Sequence, residues 1–413
     1  MKFEDYRIAP EIKRSLEKAG FKKPTDIQYK SIPPILKGED VLAIAQTGTG
    51  KTAAFAIPVI HLIHQQKTTK KSYGVKCVVM VPTRELAIQI TEVFDNIGRF
   101  SKVKTYCITG GVEQDPQIAT LNDGIDVVIA TPGRVFDLVA QGHLDLSYVQ
   151  ILVLDEADHM LDLGFIGDIR DLMRHLPRNR QTLFFSATIN ETIKDLAYSL
   201  VRNAIRIQIS PKDPVSKNIR HAVAFVDMDD KRFFLERLIN ENPDSKILVF
   251  VRTKVRAERV NKALERVGLH SMTIHGDKEQ TDRLQVMDEF KSGTTKVLIA
   301  TDVSARGIDI PNVDYVVNYD LPDVPENYVH RVGRTGRGMN KGKAISFCSP
   351  EEKPVLDEIE GFLDQPVEVM EIKKGDYAAT VSMSNETHTD WKTLMKEAEA
   401  IEHSKAKSKK KKK

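Results

Sequence analysis

The segment VLAIAQTGTGKT, at positions 41–52, contains the residue types that bind phosphate groups. Gly48 and Gly50 allow the backbone to fold so that consecutive N–H groups point at phosphate oxygens. Lys51 can neutralise the β- and γ-phosphates of a nucleotide, and Thr52 can ligate magnesium. A strand-like run precedes these residues and a helix-like run follows them, as a phosphate-binding loop requires. The segment therefore predicts a site for a nucleotide and Mg²⁺.

Ala45 stands where the general pattern GxxxxGK[ST] begins with glycine. This position only ends the strand, and alanine is compatible with it wherever φ is negative. The alternative is a chance match in an ordinary turn, which the strand and helix on either side disfavour.

A nucleotide site with magnesium also needs an acid at the end of a neighbouring strand. The run ILVLDEADHM supplies Asp155 and Glu156 directly after four apolar residues. We expect Asp155 to hold the metal through water, and Glu156 to take a proton from the water that attacks the γ-phosphate. Acids at strand ends also cap helices, which is the alternative role.

Two series of elements must position these residues. Short β-branched runs alternate with amphipathic segments of helix length, a pattern typical of parallel sheets with helices on both faces. We predict strands at 41–45, 75–82, 126–130, 150–155 and 182–186, and again at 221–226, 246–251, 296–301, 314–318 and 344–348. The segment QISPKDPVSKNIR between the two series has two prolines and little apolar content. The predicted boundaries are 1–208 for domain 1, 209–218 for a linker, 219–373 for domain 2 and 374–413 for a polar, lysine-rich tail.

The composition argues against a membrane protein and a disulfide-rich one. Apolar runs such as CVVMV are far shorter than the roughly 20 residues of a spanning helix. The N-terminal stretch carries acids and no apolar segment, so no secretory signal is predicted. Cys77, Cys107 and Cys348 form no CxxC pair, and we expect buried free thiols in a reducing cytoplasm.

The net charge of +3 conceals an uneven distribution. Seven lysines lie in the last ten residues, SKAKSKKKKK, and removing their seven charges from +3 leaves −4 for the rest of the chain. An acidic body must bind a polyanion through local patches. We expect the tail to be disordered and to act as an electrostatic tether or as a solubilising end.

The residues discussed above form part of a larger motif set that resembles the DEAD-box ATP-dependent RNA helicases. The name-giving sequence DEAD stands at 155–158. The other motifs are GFKKPTDIQ (20–28), AQTGTGKT (45–52), PTRELA (82–87), GG (110–111), TPGR (131–134), SAT (186–188), VFVRT (249–253), HGDKEQTDR (275–283), TDVSARGID (301–309) and HRVGRTGR (330–337). In this family the phosphate loop begins with alanine. The resemblance implies an α/β fold of two tandem RecA-like domains, each a mostly parallel sheet with helices on both faces, with ATP and RNA bound across the cleft between them.

The resemblance also implies which residues bind and hydrolyse ATP. Gln28 has an amide that matches the adenine edge, Phe21 packs on the base, and Phe3 is more simply a core residue. The expected nucleotide contacts are Phe21, Gln28, Ala45, Gln46, Thr47, Gly48, Thr49, Gly50, Lys51, Thr52, Gly307 and Asp309. Arg334 and Arg337 are three residues apart, share a face, and resemble arginine fingers that reach the phosphates when the domains close. The expected catalytic set is Lys51, Asp155, Glu156, His330, Arg334 and Arg337, with His330 as a positioning group, while Arg331 has no assigned role.

Two further sets follow from the family. Ser186 and Thr188 are expected to contact Asp158 and so to couple the ATP state to domain closure. The residues expected along the RNA strand are Arg84, Gly111, Thr131, Arg134, Thr253, Gln280, Arg283, Thr301 and Asp302. Backbone amides and hydroxyls suit phosphate and 2′-OH groups better than base edges, so we expect little sequence specificity.

The implied function is an ATP-dependent RNA helicase that opens short duplexes locally or remodels RNA–protein complexes. An ATP-gated RNA clamp with little unwinding is the main alternative, which Glu156 and the two arginine fingers disfavour. A DNA helicase of the same superfamily is a third possibility, disfavoured by DEAD and by the Gln28 segment. Ser304 and Arg252 depart from the commonest family spelling without removing a proposed contact. The short basic tail resembles the bacterial RhlE-type subgroup, and we expect a cytoplasmic monomer, without membrane contact, in ribosome-assembly or RNA-decay complexes.

Overall fold

The computed structural model describes residues 2–46, 48–69, 74–209, 215, 218–302, 313–336 and 341–383. Two seven-stranded sheets form its framework, one within residues 41–209 and the other within 219–369. All strand pairs in both sheets are parallel. Parallel neighbours need long crossover connections, which the helices between the strands supply. The α/β class and the tandem arrangement expected from the sequence are confirmed.

The first sheet has the strand order β3-β4-β2-β5-β6-β1-β7. Its strands are Val41–Ala45 (β1), Cys77–Met80 (β2), Thr105–Ile108 (β3), Val127–Ala130 (β4), Ile151–Leu154 (β5), Gln181–Ser186 (β6) and Ile205–Ile209 (β7). The accompanying helices are Pro10–Lys18 (α1), Asp26–Leu36 (α2), Lys51–Thr69 (α3), Arg84–Gly98 (α4), Asp115–Asn122 (α5), Pro132–Ala140 (α6), Ala157–Asp162 (α7), Ile166–His175 (α8) and Glu191–Leu200 (α9).

The second sheet has the equivalent strand order β10-β11-β9-β12-β13-β8-β14. Its strands are Ile219–Phe225 (β8), Ile247–Phe250 (β9), Met272–Ile274 (β10), Val297–Ala300 (β11), Tyr315–Asn318 (β12), Gly342–Cys348 (β13) and Glu368–Val369 (β14). The helices described around it are Lys231–Glu241 (α10), Lys254–Arg266 (α11), Gln280–Ser292 (α12), Pro325–Val332 (α13), Lys353–Leu363 (α14) and Lys374–Met383 (α15).

Each sheet separates two hydrophobic cores because successive side chains of a strand point to opposite faces. In β1, Val41 and Ala43 belong to the core on one face, whereas Leu42 and Ile44 belong to the core on the other. All five residues of β1 are buried. Burial on both faces explains why the central strands read as uninterrupted apolar runs.

All ten predicted strands are present, and the four strands that were not predicted are β3, β7, β10 and β14. These four form the two edges of each sheet. Edge strands are shorter or more exposed than central ones, as in β7, where only Ile207 is fully buried. The apolar run that marks a central strand is therefore absent from their sequences.

The chain remains folded beyond the predicted end of domain 2 at residue 373. Helix α15 packs against α10, where the rings of Tyr377 and Phe234 lie 5.0 Å apart. The Tyr377 hydroxyl donates to Asp230 at 2.8 Å, and Arg237 donates to Thr380 at 2.8 Å. The predicted polar tail thus starts with a packed helix, because a few well-placed side chains anchor a segment of low mean hydropathy. The rest of the predicted tail, including the lysine run, lies outside the described residues.

Candidate active site and RNA interface

The phosphate-binding loop lies at the carboxyl edge of the first sheet, between β1 and α3. Gly48 and Gly50 have φ values of +79° and +91°, which favour glycine. A Cβ on Gly50 would lie 2.5 Å from the Gln28 amide nitrogen, so this position also has no room for a side chain. The Lys51 ammonium is almost fully buried and donates to the Ala45 carbonyl at 2.8 Å.

Ala45 ends a regular strand, and its carbonyl oxygen is the group that contacts Lys51. Its φ is not positive, as the sequence predicted for an alanine here. Next in the loop, Thr49 donates its hydroxyl to the Gln46 carbonyl at 2.7 Å, and this bond tightens the turn. Thr47 lies outside the described residues, and Thr52 is half-buried in the first turn of α3.

Gln28 joins the start of α2 to the phosphate loop. Its amide oxygen accepts from the Thr25 N–H at 3.0 Å, and its amide nitrogen donates to the Gly50 carbonyl at 3.1 Å. The side chain is 3% exposed. One N–H and one oxygen lone pair remain for a ligand, so adenine recognition remains a prediction. The same amide also fixes the position of the loop, a role that the sequence did not indicate.

Two aromatic residues lie beside this segment. Phe21 is partly buried and packs edge-to-face on Phe3, with ring centroids 5.7 Å apart. Phe3 is 4% exposed and belongs to the core of the first domain. The core role expected for Phe3 is confirmed, and stacking of Phe21 on a base stays a prediction.

Asp155 and Glu156 follow β5, near Lys51, and are both buried. Burial raises the pKa of Asp155 to about 7 against the opposing effect of Lys51. Burial alone would also raise the pKa of Glu156, but His159, Lys51 and Arg334 together lower it to about 2. Glu156 is therefore ionised at neutral pH. Its φ of +51° is unusual for a residue with a side chain, and such strain is typical of functional sites.

His159 lies on the first turn after DEAD, with its Nδ1 atom 3.6 Å from a Glu156 carboxylate oxygen. Its side chain is 3% exposed. The sequence analysis quoted this residue without assigning it a role. Its separation of three residues from Glu156 on a helical turn was the available signal.

Asp158 holds the SAT segment through a single oxygen. That oxygen accepts from the Ala187 N–H at 3.0 Å, the Thr188 N–H at 2.9 Å and the Thr188 hydroxyl at 3.0 Å. The predicted contact of Ser186 is wrong, because its buried hydroxyl has no hydrogen-bond partner among the described residues. Ser186 ends β6 and points into the core, whereas the next two residues turn towards α7.

The second domain brings Arg334 to this site. The residue is 4% exposed, and its Nε atom donates to the His330 carbonyl at 3.2 Å. Its charge contributes to the low pKa of Glu156, so it lies within electrostatic range of the first domain. Arg337, Gly307 and Asp309 lie outside the described residues.

A polar cluster joins the two domains where the RNA strand was expected. Glu85 on α4 accepts from Arg283 at 2.9 Å and from the Gln280 amide at 3.2 Å, both on α12. The Arg84 guanidinium lies 3.5 Å from the Gln280 amide oxygen. Arg84, Gln280 and Arg283 are thus brought together as predicted, and the buried acid Glu85 between them was missed.

The two glycines of the GG motif leave room for the Arg84 guanidinium. A Cβ on Gly111 would lie 2.0 Å from the Arg84 Nη1 atom, and one on Gly110 would lie 3.3 Å from Arg84 Nη2. Gly111 has a φ of +75°. The motif therefore acts by leaving space for the guanidinium and by turning the chain.

The remaining predicted RNA residues lie at the carboxyl edges of the two sheets. Thr131 precedes α6, and Arg134 in that helix donates to the Val112 carbonyl at 2.9 Å. Thr253 caps α11 by accepting from the Arg256 N–H at 3.2 Å. Thr301 follows β11 directly.

Asp302 pairs with an arginine of its own domain, and the RNA contact predicted for it stays a prediction. Both of its oxygens accept from the Arg331 guanidinium, at 2.5 and 2.7 Å. Arg331 also donates to the Asp320 carbonyl at 2.7 Å and is 2% exposed. Asp302 therefore anchors α13, the helix that carries His330, and Arg331 gains the role that the sequence left unassigned.

Comparison with known proteins identifies the family. The profile of the DEAD/DEAH box helicases matches residues 25–196, and that of the helicase conserved C-terminal domain matches residues 230–339. An ATP-dependent RNA helicase DbpA of Bacillus subtilis is 41% identical over 370 residues, which cover 89% of this chain and 76% of the relative. The chain belongs to the DEAD/DEAH box helicase family.

A second relative of this DEAD-box protein is an ATP-dependent RNA helicase RhlB of Shewanella frigidimarina. It is 41% identical over 377 residues, which cover 90% of this chain and 87% of the relative. Relatives with different names thus match with similar identity, and assignment to the RhlE-type subgroup stays a prediction.

Two solved structures match the chain over both domains. Dbp5 of S. cerevisiae bound to RNA and ADP BeF3 is 31% identical, has a TM-score of 0.80, and covers 92% of this chain and 98% of its own. A DEAD box protein of Methanococcus jannaschii is 36% identical but has a TM-score of only 0.52, over 90% and 99% of the two chains. The DEAD-box protein described here is therefore more similar, over both domains, to the RNA-bound Dbp5 structure than to the Methanococcus jannaschii one.

Other described features fit the sequence predictions. No described helix is long and apolar enough to cross a membrane. Cys77 and Cys348 are buried free thiols as predicted, and Cys107 is half-buried. Burial raises the pKa of Cys107 to about 11, so this thiol is protonated at neutral pH.

Proposed function

We propose that the chain is an ATP-dependent RNA helicase that opens short duplexes locally when its two domains close. The observation that carries the proposal is the convergence of basic side chains from both domains on Glu156, with His159 Nδ1 at 3.6 Å from its carboxylate. Lys51 and His159 come from domain 1 and Arg334 from domain 2, and all three lower the pKa of Glu156. Hydrolysis then depends on closure, because the site is incomplete while the domains are apart.

Magnesium fits the residues at the phosphate loop. Asp155 is a buried carboxylate whose pKa is raised by burial and, to a lesser degree, by the neighbouring acids Glu156 and Asp158. Mg²⁺ at nucleotide sites is usually held by one or two carboxylates together with substrate phosphates and water, which fits a single buried acid beside the phosphate loop. Asp155 and Thr52 would hold the ion, which when bound neutralises charge on the phosphates.

Lys51, Glu156 and Arg334 have different roles in ATP hydrolysis. Lys51 leaves the Ala45 carbonyl for the β- and γ-phosphates, and the N–H groups of the loop surround them. Ionised Glu156 accepts a hydrogen bond from the attacking water and orients it. A pKa of about 2 makes Glu156 a weak base before ATP binds, and the negative phosphates then raise it. Arg334 stabilises the charge that develops on the γ-phosphate.

We place the RNA groove between the two domains, along the polar cluster around Glu85, and propose that it binds the sugar–phosphate backbone of the strand. Arg84 of domain 1 meets Gln280 of domain 2, and Arg283 joins them through Glu85. Gly111 leaves the space for Arg84, and Arg134 donates to the carbonyl of Val112, the residue after Gly111. Guanidinium and amide donors at this spacing suit phosphates and 2′-OH groups, which occur in every sequence. The complex of Dbp5 with RNA and ADP BeF3, which is similar over both domains, supports this proposal.

The finer assignments are proposals of the same kind. We place the boundary between the domains at 209–218, since β7 ends at Ile209 and β8 begins at Ile219. Gly307, Asp309 and Arg337 keep the family roles given above. We also propose ribosome assembly or RNA decay as the setting, with the chain acting as a monomer in the cytoplasm.

Two substitutions test this mechanism in different ways. Lys51→Ala should abolish ATP binding and turnover. Glu156→Gln preserves the shape of the site, so ATP should still bind and turnover should stop, with RNA held for longer. Glu17→Gln, an exposed change on α1, serves as the control. If Glu156→Gln hydrolyses ATP at the rate of the control, Glu156 is not the residue that acts on the attacking water.

The nucleic acid and the outcome of closure need separate measurements. ATPase activity should be stimulated by an RNA strand and not by DNA of the same sequence. Equal stimulation by DNA would reject RNA specificity. Strand separation of a short RNA duplex should require ATP, and turnover without separation would favour the clamp instead.

A further inference from the structure

A cleft rich in arginine lies on domain 1, away from the site described above. It has a volume of about 570 Å³ and is open to solvent. Four of its seven lining residues are arginines, namely Arg170, Arg178, Arg180 and Arg202. They come from α8, from the loop before β6 and from the turn after α9.

The cleft lies at the amino edge of the first sheet. Arg180 directly precedes β6, and the ATP-linked residues Ala187 and Thr188 follow the same strand. Six residues of strand separate the two ends, about 20 Å at 3.3 Å per residue. The arginine cleft is thus separate from the interdomain groove, and an RNA that fills only the groove does not reach it.

The positive charge of the cleft is poorly compensated. Arg170, Arg178 and Arg202 are exposed and form no ion pair with an acid of the described ranges. The nearby acid is Asp40, whose two oxygens accept from the Thr182 and Arg202 N–H groups. Burial and the charge of Arg202 lower the pKa of Arg180, against the effect of Asp40.

An unneutralised cluster is unexpected on this chain, whose net charge without the last ten residues is −4. Guanidinium groups bind phosphates through paired hydrogen bonds. The cores of protein–protein interfaces contain aromatic and aliphatic anchors, whereas this cleft offers only Met173 and Leu200. The lining therefore favours a phosphate backbone over an acidic protein.

We propose that the arginine cleft binds the backbone of RNA that flanks the segment held between the domains. This inference rests on the proposed RNA-helicase function and adds a second contact to it. A structured RNA that extends around domain 1 would engage both sites, and a short strand would engage only the first. The cleft thereby selects substrates in which a stem adjoins the strand to be opened.

The test uses the full-length protein with the double variant Arg178→Glu/Arg202→Glu. The charge-matched control is Lys262→Glu/Arg266→Glu on the exposed face of α11. Binding is measured over a salt series for a strand of about ten nucleotides and for the same strand joined to a hairpin stem. The cleft variant should lose the tighter binding of the stem-bearing RNA, with a fall of about 1.8 in the slope of log affinity against log salt if two phosphate contacts are lost. Its affinity for the short strand and its ATPase activity with that strand should not change.

Several results would overturn the inference. Equal losses in the cleft variant and the control would show an effect of net charge alone. Unchanged binding of both RNAs, or binding of polyglutamate and not of the stem, would assign the cleft to another partner or to none. A short strand that fails to stimulate the wild-type ATPase would instead count against the proposed function. Arg178→Lys/Arg202→Lys should retain most of the salt slope, and thermal unfolding checks that each variant folds.

Discussion

Replacing Glu85 with glutamine should weaken closure of the two domains without affecting either domain alone. Glu85 is 4% exposed and lies 2.9 Å from Arg283, whose side chain is 14% exposed. The two residues lie on opposite domains, so the ion pair forms only on closure. Glutamine keeps an acceptor for the Gln280 amide but removes the charge that Arg283 meets.

The size of the effect follows from the loss of a charge-assisted hydrogen bond in a buried setting. Such bonds contribute about 1.5–3 kcal/mol, and the glutamine oxygen recovers part of this as a neutral acceptor. We therefore expect a loss of about 1–2 kcal/mol in closure. At about 1.4 kcal/mol per factor of ten, RNA affinity in the closed state should fall roughly 5- to 30-fold.

The assay compares RNA affinity with and without a non-hydrolysable ATP analogue. The loss should occur only with the analogue, because closure needs both ligands. Glu92→Gln, an exposed change on the same helix, is the matched control. Arg283→Gln and the double variant complete a double-mutant cycle, which separates the energy of the Glu85–Arg283 pair from any direct contact of Arg283 with RNA.

The double-mutant cycle measures the interaction energy between Glu85 and Arg283. Coupling of about 1–2 kcal/mol between the two positions is expected with the analogue and none without it. Additive effects, or equal losses in the absence of nucleotide, would show that the Glu85 contact does not contribute to closure.

Three other predictions concern single positions. Gly111→Ala should lower RNA affinity and leave ATP affinity unchanged, because its Cβ would displace Arg84. The control Gly124→Ala has a similar φ of +81° but open space around it, so it measures the effect of backbone strain alone. Asp158→Asn should lower strand separation per ATP hydrolysed, since the carboxylate holds the SAT segment through three bonds, and equal coupling in the variant would contradict this role. Burial lowers the pKa of His221 below its ordinary value of 6.5. The imidazole therefore binds protons more readily in the unfolded chain, and the free energy of unfolding falls as the pH drops below 6.5. His221→Gln should reduce this loss in unfolding measured between about pH 7 and pH 5, and an unchanged pH slope would contradict the account.

The sequence predicted those parts of the fold that are buried on both faces. Strand β5 reads ILVL and is buried throughout, so its run of apolar residues is distinctive. Strand β7 reads IRIQI, alternates in polarity and lies beside a proline-rich segment, and its pairing with β1 depends on a partner more than 150 residues away in sequence. Local pattern does not contain that information.

The same distinction applies to the candidate site. Lys51 and Glu156 were predictable because each belongs to a short motif whose chemistry is local. Asp302 and Glu85 were not, because their roles depend on which distant residue they meet. The pairing of Asp302 with Arg331 was not predicted, and Glu85 was missed although its motif was quoted. In both cases the acid is the partner of an arginine that is distant in sequence.

The two interdomain clusters explain how ATP and RNA affect each other. Arg334 lies near Glu156 in the same arrangement in which Glu85 meets Arg283. We therefore expect each ligand to stabilise the contacts that the other needs. Thermodynamic linkage then requires that ATP tighten RNA binding by the same factor as RNA tightens ATP binding. Loss of the Glu85 pair should reduce both factors equally, although Glu85 lies in the RNA groove. If Arg334 binds the γ-phosphate as proposed, hydrolysis removes that contact, and we expect the closed state to lose its ATP-dependent stabilisation and to release RNA.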